Sequence, residues 1–157
     1  MSSAPADYIK SNAKTQVTEA LKKVLANTYA IYFKTHSYHW NVEGPNFQGL
    51  HTIFEEQYTE LWTEIDNLAE RLRALGVYAP ANTKEMMEGA AISPAAGVPK
   101  AQDMVKELAD DHTKMAKILV ESIEITQEAG DEVTTDIFIG RAAAHEKTAW
   151  MLRSLAK

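Results

Sequence analysis

Leu50, Phe54, Tyr58, Leu61, Ile65, Leu68, Leu72 and Leu75 follow one another at steps of three and four residues. That spacing lays a single apolar stripe along a helix running from about Asn46 to Leu75. At about 1.5 Å per residue, a helix of roughly 28 residues is a rod about 42 Å long. A rod that is apolar on one side cannot bury its stripe alone, so it demands other long helices to pack against.

The chain supplies them. Val17, Leu21, Val24, Leu25, Thr28 and Ile31 mark a first helix over about Asp7 to His36. Val105, Leu108, Met115, Ile118, Leu119 and Ile125 mark a third over about Lys100 to Glu128. Ile137, Phe138, Trp150, Met151, Leu152 and Leu155 mark a fourth over about Asp131 to Leu155. No stretch alternates as a strand does.

The breaks between helices set the topology. Asn41-Val42-Glu43-Gly44-Pro45 and Ala129-Gly130 are short breaks, which make their flanking helices antiparallel neighbours. The second and third helices are separated by Gly76 to Pro99, a stretch holding three of the five prolines. A linker that long can run the whole length of a helix. The reading is therefore all-α: two helical hairpins joined by a long crossover, the ferritin-like form of the four-helix bundle. Asn82 or Thr83 can cap a short extra helix over Asn82 to Glu88. The chain reads as one domain, 1–157, with a short N-terminal tail over residues 1–7.

Composition narrows the chemistry. There are no cysteines, which excludes thiolate metal sites and a cysteine nucleophile. A metal would sit on nitrogen and oxygen ligands, which suit iron, zinc, manganese or magnesium. No apolar run is long enough to span a membrane, and the N-terminus lacks the basic start and apolar stretch of a secretory signal. A cytoplasmic location is the expectation, with nucleoid association as a variant of it. The net charge of −6 gives no general attraction to DNA and suits a protein that gathers cations.

His51, Glu55, Asp66 and Glu70 lie on the second helix at offsets that keep them within a stripe roughly 100° wide. They share a face but not a place. His51 and Asp66 are about 22 Å apart along the axis, whereas the ligands of one ion lie within about 2.5 Å of it. His51 with Glu55, and Asp66 with Glu70, cannot hold one ion within one chain. Two copies of the helix packed antiparallel about a two-fold axis bring His51 of one to Asp66 and Glu70 of the other, and generate two equivalent sites. The plain alternative is a solvated helix face, with Asp66 and Glu70 pairing with Arg71 and Arg73. No glutamate has a histidine three residues later, so the Glu-x-x-His pairs of di-iron bundles are absent.

The run His39-Trp40-Asn41-Val42-x-Gly44-x-x-Phe47-x-x-Leu50-His51, followed by Asp66-x-x-x-Glu70-Arg71, closely resembles the Dps family, the twelve-subunit mini-ferritins that protect DNA during starvation. The likeness extends over the whole chain, from the crossover to Gly130–Asp136 and Trp150. It implies a hollow dodecamer that oxidises Fe(II) to Fe(III), with hydrogen peroxide as oxidant, and stores the ferric mineral. It implies an iron site of two ions at the two-fold interface, with His39, His51 and Glu55 from one subunit and Asp66 and Glu70 from its mate. Zinc is a possible substitute metal. Many relatives carry Asp at position 55. The resemblance also puts Trp40 beside the iron as a radical quencher, and Glu132 and Asp136 at the pores through which iron passes inward. It suggests that Glu56, Glu60 and Glu64 face the cavity. His36 shares a helix side with His39 and reads as a supporting residue or as ordinary packing. His112 and His145 have no partner at ligand spacing and read as structural or exposed.

The competing function is a DNA-binding, nucleoid-compacting protein. DNA-binding relatives often carry a lysine-rich terminal tail, but residues 1–7 contain no Lys or Arg. Strong direct DNA binding is therefore not the expectation.

Overall fold

A computed structural model describes residues 6–157, so most of the N-terminal tail lies outside it. Five helices follow in order: α1 Lys14–Asn41, α2 Phe47–Ala74, α3 Thr83–Met87, α4 Ala101–Ala129 and α5 Glu132–Leu155. No strand occurs among the described residues. α1 packs against α2 and α4, and α4 against α5. This is the expected architecture of two hairpins joined by a long crossover that carries a short helix.

The stripe that opened the sequence reading is the inner face of α2. Leu50, Phe54, Leu61, Leu68 and Leu72 are all buried: Leu61, Leu68 and Leu72 in a cluster with Val17, Leu21, Val24 and Ile31 of α1 and Leu119 and Phe138 of the second hairpin, and Leu50 and Phe54 in a second cluster with Tyr38, Met104, Leu108 and Leu152. Burying each such side chain contributes about 1.5–3 kcal/mol, which is what holds four rods side by side.

The first helix differs from its expected span at both ends. Residues 6–13 form turns rather than helix, with Ile9 N–H bonded to the Ala6 carbonyl and Ala13 N–H to that of Lys10. The reason is tertiary. Lys10 N–H donates to the Ala129 carbonyl at 3.2 Å, and Lys10 Nζ to that of Glu128 at 2.7 Å. The segment thereby satisfies carbonyls that the end of α4 leaves open. At the other end α1 continues to Asn41, so His39 and Trp40 stand on a helix instead of beside a break.

The remaining boundaries have local causes. Asn82 caps α3 by accepting from Glu85 N–H, and Asp131 caps α5 by accepting from Thr134 N–H. Gly130 takes φ +79°, where side chains are disfavoured, letting Asp131 N–H turn back to the Thr126 carbonyl at 2.9 Å. The crossover is tied to α1 by Asn27, whose side-chain oxygen accepts from Ala91 and Ile92 N–H.

α2 and α5 are stitched together at two levels. Arg71 donates to Asp131 and Thr134, and Arg141 pairs with Glu60 and Glu64. As α2 numbers fall, α5 numbers rise, so the two helices run antiparallel.

Candidate metal centre

The last turn of α1 and the first turns of α2 approach each other across the Val42–Asn46 link. His39 and His51 meet there. Their rings stack with centroids 3.8 Å apart and planes at 17°. His39 Nδ1 lies 2.7 Å from the His51 carbonyl oxygen, and His51 Nδ1 lies 2.7 Å from the His39 carbonyl oxygen. A carbonyl can only accept, so each Nδ1 carries the proton and donates it. In the neutral tautomer this selects, Nε2 is the nitrogen left with a lone pair. Metal-binding histidines are held by this same kind of Nδ1–H donation to a carbonyl, which fixes tautomer and ring orientation.

The carboxylates are arranged as helical arithmetic requires. Glu55 is one turn beyond His51 and exposed, and Asp66 and Glu70 are exposed farther along α2. Their expected partners in the plain alternative are engaged elsewhere. Arg71 pairs with Asp131 at 2.9 Å and also donates to Tyr8 and Thr134. Arg73 lies over the Tyr78 ring at 4.4 Å. Among the described residues, Glu55, Asp66 and Glu70 form no ion pair within the protomer. Also among the described residues, no three His, Asp or Glu side chains of one protomer converge closely enough to hold a metal ion. The protomer thus brings together two nitrogen donors, and leaves its Asp66 and Glu70 unpaired on the same helix.

An aromatic cluster adjoins the histidines. His36 stacks on Tyr58, with centroids 3.8 Å apart and planes at 12°, and its ring lies 4.1 Å from that of Trp40. Its Nδ1 is 3.0 Å from Tyr32 Oη. Burial, with His39 nearby, pushes the His36 pKa below its ordinary value. Trp40 is 57% exposed in the protomer. The sequence reading passes over Tyr32 and Trp62 and takes Tyr58 only as a member of the apolar stripe. Their signal was present: Tyr32, His36 and Trp40 recur every four residues on α1, and Tyr58 and Trp62 are four apart on α2.

Of the two readings of His112 and His145, structural or exposed, the structure bears out the first. They are 2% and 1% exposed and share a 2.8 Å hydrogen bond between their Nδ1 atoms. Burial, reinforced by Arg141, pushes the His112 pKa down to about 3. Burial, then His112 and Arg141, hold His145 well below its usual value. Buried Arg141 pairs with both Glu60 and Glu64. Glu132 and Asp136 are exposed in the first turns of α5, where the helix dipole favours acids in any case.

The chain matches the family model described as a ferritin-like domain over residues 18–157. It is 42% identical over 139 residues to DNA protection during starvation protein 2 of Bacillus anthracis, covering 88% of this chain and 95% of the relative. Against the crystal structure of Dps from Staphylococcus aureus it has 39% identity and a TM-score of 0.88, covering 91% of this chain and 96% of the other. A Vibrio cholerae DPS protein, described as a member of a broad superfamily of ferritin-like diiron-carboxylate proteins, matches at 28% identity and a TM-score of 0.91, over 100% and 99% of the two chains.

Proposed function

Because the chain belongs to the Dps family of ferritin-like proteins, we propose that it oxidises Fe(II) to Fe(III) with hydrogen peroxide and stores the ferric product as mineral inside a dodecameric shell. The observation that carries this reading is the reciprocal Nδ1 bonding of His39 and His51, which leaves Nε2 of each stacked ring as the nitrogen available to a metal. Such a pair has no structural need for free nitrogens side by side, but a metal does.

In this reading the site forms between two subunits. His39, His51 and Glu55 of one protomer face Asp66 and Glu70 of its mate, and the two-fold axis makes two such sites. Neutral imidazoles and carboxylates suit iron in both oxidation states. Glu55 extends one methylene farther than aspartate would, which moves the carboxylate of a second iron. Zinc competes for the same nitrogen and oxygen donors. Iron is the substrate: two Fe(II) ions each lose one electron, the peroxide O–O bond accepts both, and with two protons the oxygens leave as water. Consuming Fe(II) and peroxide together removes the ingredients of hydroxyl radical. Glu132 and Asp136 line the route by which Fe(II) reaches the interior.

DNA is protected by removing these reactants, in a cytoplasmic protein, rather than by tight association. A chain with net charge −6 gives little counterion release on DNA. No helix is long and apolar enough to cross a membrane. The test is to replace His39, His51 and Asp66 singly with alanine or asparagine, and to add peroxide anaerobically to Fe(II)-loaded protein. Unchanged oxidation rates would sink the assignment. Tight retardation of DNA at low salt without divalent ions would overturn the reading of protection without association.

A further inference from the structure

Beside the histidine pair lies the aromatic cluster that iron binding does not require. Tyr32, His36 and Trp40 line one face of α1, and Tyr58 and Trp62 meet them from α2. Tyr32 lies 5.4 Å from Trp62 and 5.8 Å from Tyr29, between ring centroids. Packing alone asks for apolar rings. It does not ask for a phenol hydroxyl set on an imidazole nitrogen. Tyr32 is buried, and among the described residues its hydroxyl bonds only His36. The arrangement that leaves no phenol proton unpaired has Tyr32 Oη–H donating to His36 Nδ1. Tyr58 stacks on the same imidazole but has no such bond.

We propose that Tyr32 and His36 form a proton-coupled electron donor that refills Trp40 after the indole has intercepted a one-electron oxidant formed beside the iron site. The proposal rests on the iron and peroxide reading above. Burial holds the Tyr32 hydroxyl above its ordinary pKa, so the phenol gives up an electron readily only if its proton leaves too. His36 is placed to take that proton.

The steps balance. One-electron cleavage of peroxide by Fe(II) yields hydroxide and hydroxyl radical. The radical removes one electron from the Trp40 indole and becomes hydroxide. Tyr32 passes one electron through the His36 ring, which contacts Trp40 at 4.1 Å. Its Oη–H bond breaks and the proton moves to Nδ1. The indole is restored, leaving a neutral phenoxyl beside an imidazolium. A further Fe(II) then reduces the phenoxyl, the proton returns, and that iron leaves as Fe(III). An oxidant that would scar the protein is thereby spent on iron.

Iron-free, assembled protein tests the relay directly. Azidyl radicals generated by pulse radiolysis oxidise tryptophan, and in the wild type the indolyl absorption is expected to decay into a tyrosyl absorption. Tyr32→Phe abolishes that tyrosyl rise, while Tyr58→Phe leaves it. His36→Gln slows it about a hundredfold, the lower end of what a positioned proton acceptor contributes. A tyrosyl rise that persists in Tyr32→Phe, or keeps its rate in His36→Gln, overturns the relay. With Fe(II) and peroxide, Tyr32→Phe oxidises iron at the wild-type rate but accumulates oxidised Trp40 in peptide mass spectra. Unchanged Trp40 oxidation overturns the protective role. Loss of iron oxidation in the wild type would instead refute the function proposed above, and the radiolysis arm still judges the relay.

Discussion

His39 and His51 each donate a ring Nδ1–H to the other's main-chain carbonyl, at 2.7 Å in both directions. The pair locks the end of α1 to the start of α2 and leaves Nε2 of each ring available as a ligand. It therefore couples a structural bond to a chemical function. Removing either ring breaks one of the two bonds and takes away one nitrogen donor. His51→Ala should cost about 1 kcal/mol through the one lost bond to the His39 carbonyl, yet abolish most iron oxidation because a ligand is gone. Thermal scans and stopped-flow iron oxidation separate the two effects. A variant that loses stability but keeps its oxidation rate would show that the pair is only structural.

Arg71 stands next to Glu70, yet it turns away to Asp131 at the start of α5. The Asp131 side chain is fully buried and that of Arg71 is 12% exposed. Asp131 also accepts from Thr134 N–H as the α5 cap. Asp131→Ala thus removes a cap and strands a mostly buried cation, for a cost of about 3 kcal/mol or more. Arg71→Met with Asp131→Ala should cost less than the sum of the single changes, since neither charge is then left alone. Urea unfolding of the four proteins measures the coupling, and strict additivity would refute it.

The His112–His145 pair predicts how stability depends on acidity. His112 has a folded pKa near 3 against an ordinary value near 6.5, and His145 is shifted in the same direction. Between those limits the unfolded chain binds protons that the folded chain refuses. Stability is therefore full above about pH 6.5 and falls as pH drops from there toward 3, by up to about 1.4 kcal/mol per pH unit for each histidine. His112→Leu removes one such contribution and should flatten the fall in melting temperature between pH 6.5 and 4. An equal slope in the variant would refute this origin.

What the sequence made legible, and what it hid, follows from the range of the forces involved. The stripe from Leu50 to Leu75 is a local regularity, so α2 and the bundle around it could be read from spacing. The start of α1 could not, because residues 6–13 bond to carbonyls at the end of α4 more than a hundred positions away. His112 and His145 lie on different helices, and no spacing rule joins them. Nor does any spacing rule join Glu60 and Glu64 to Arg141, their partner on α5. His39 and His51 lay in one continuous motif, but the reciprocal bonds that free both Nε2 atoms needed the three-dimensional structure. The need for a second chain was plain arithmetic, since about 22 Å of helix separates His51 from Asp66.

That arithmetic yields the sharpest test of the candidate site. If each site joins His51 of one subunit to Asp66 of its mate, His51→Ala and Asp66→Ala assemblies should each be nearly inactive. Dissociated and reassembled together in equal amounts, half of the two-fold pairs are mixed. In a mixed pair one site carries both losses, and the other carries His51 from the Asp66→Ala chain and Asp66 from the His51→Ala chain. That second site is intact. About a quarter of all sites should therefore regain iron oxidation, because a two-fold contact always makes two equivalent sites. A site built within one chain regains none. Activity of the mixture equal to the mean of its two parents would exclude the shared site, whatever metal it takes.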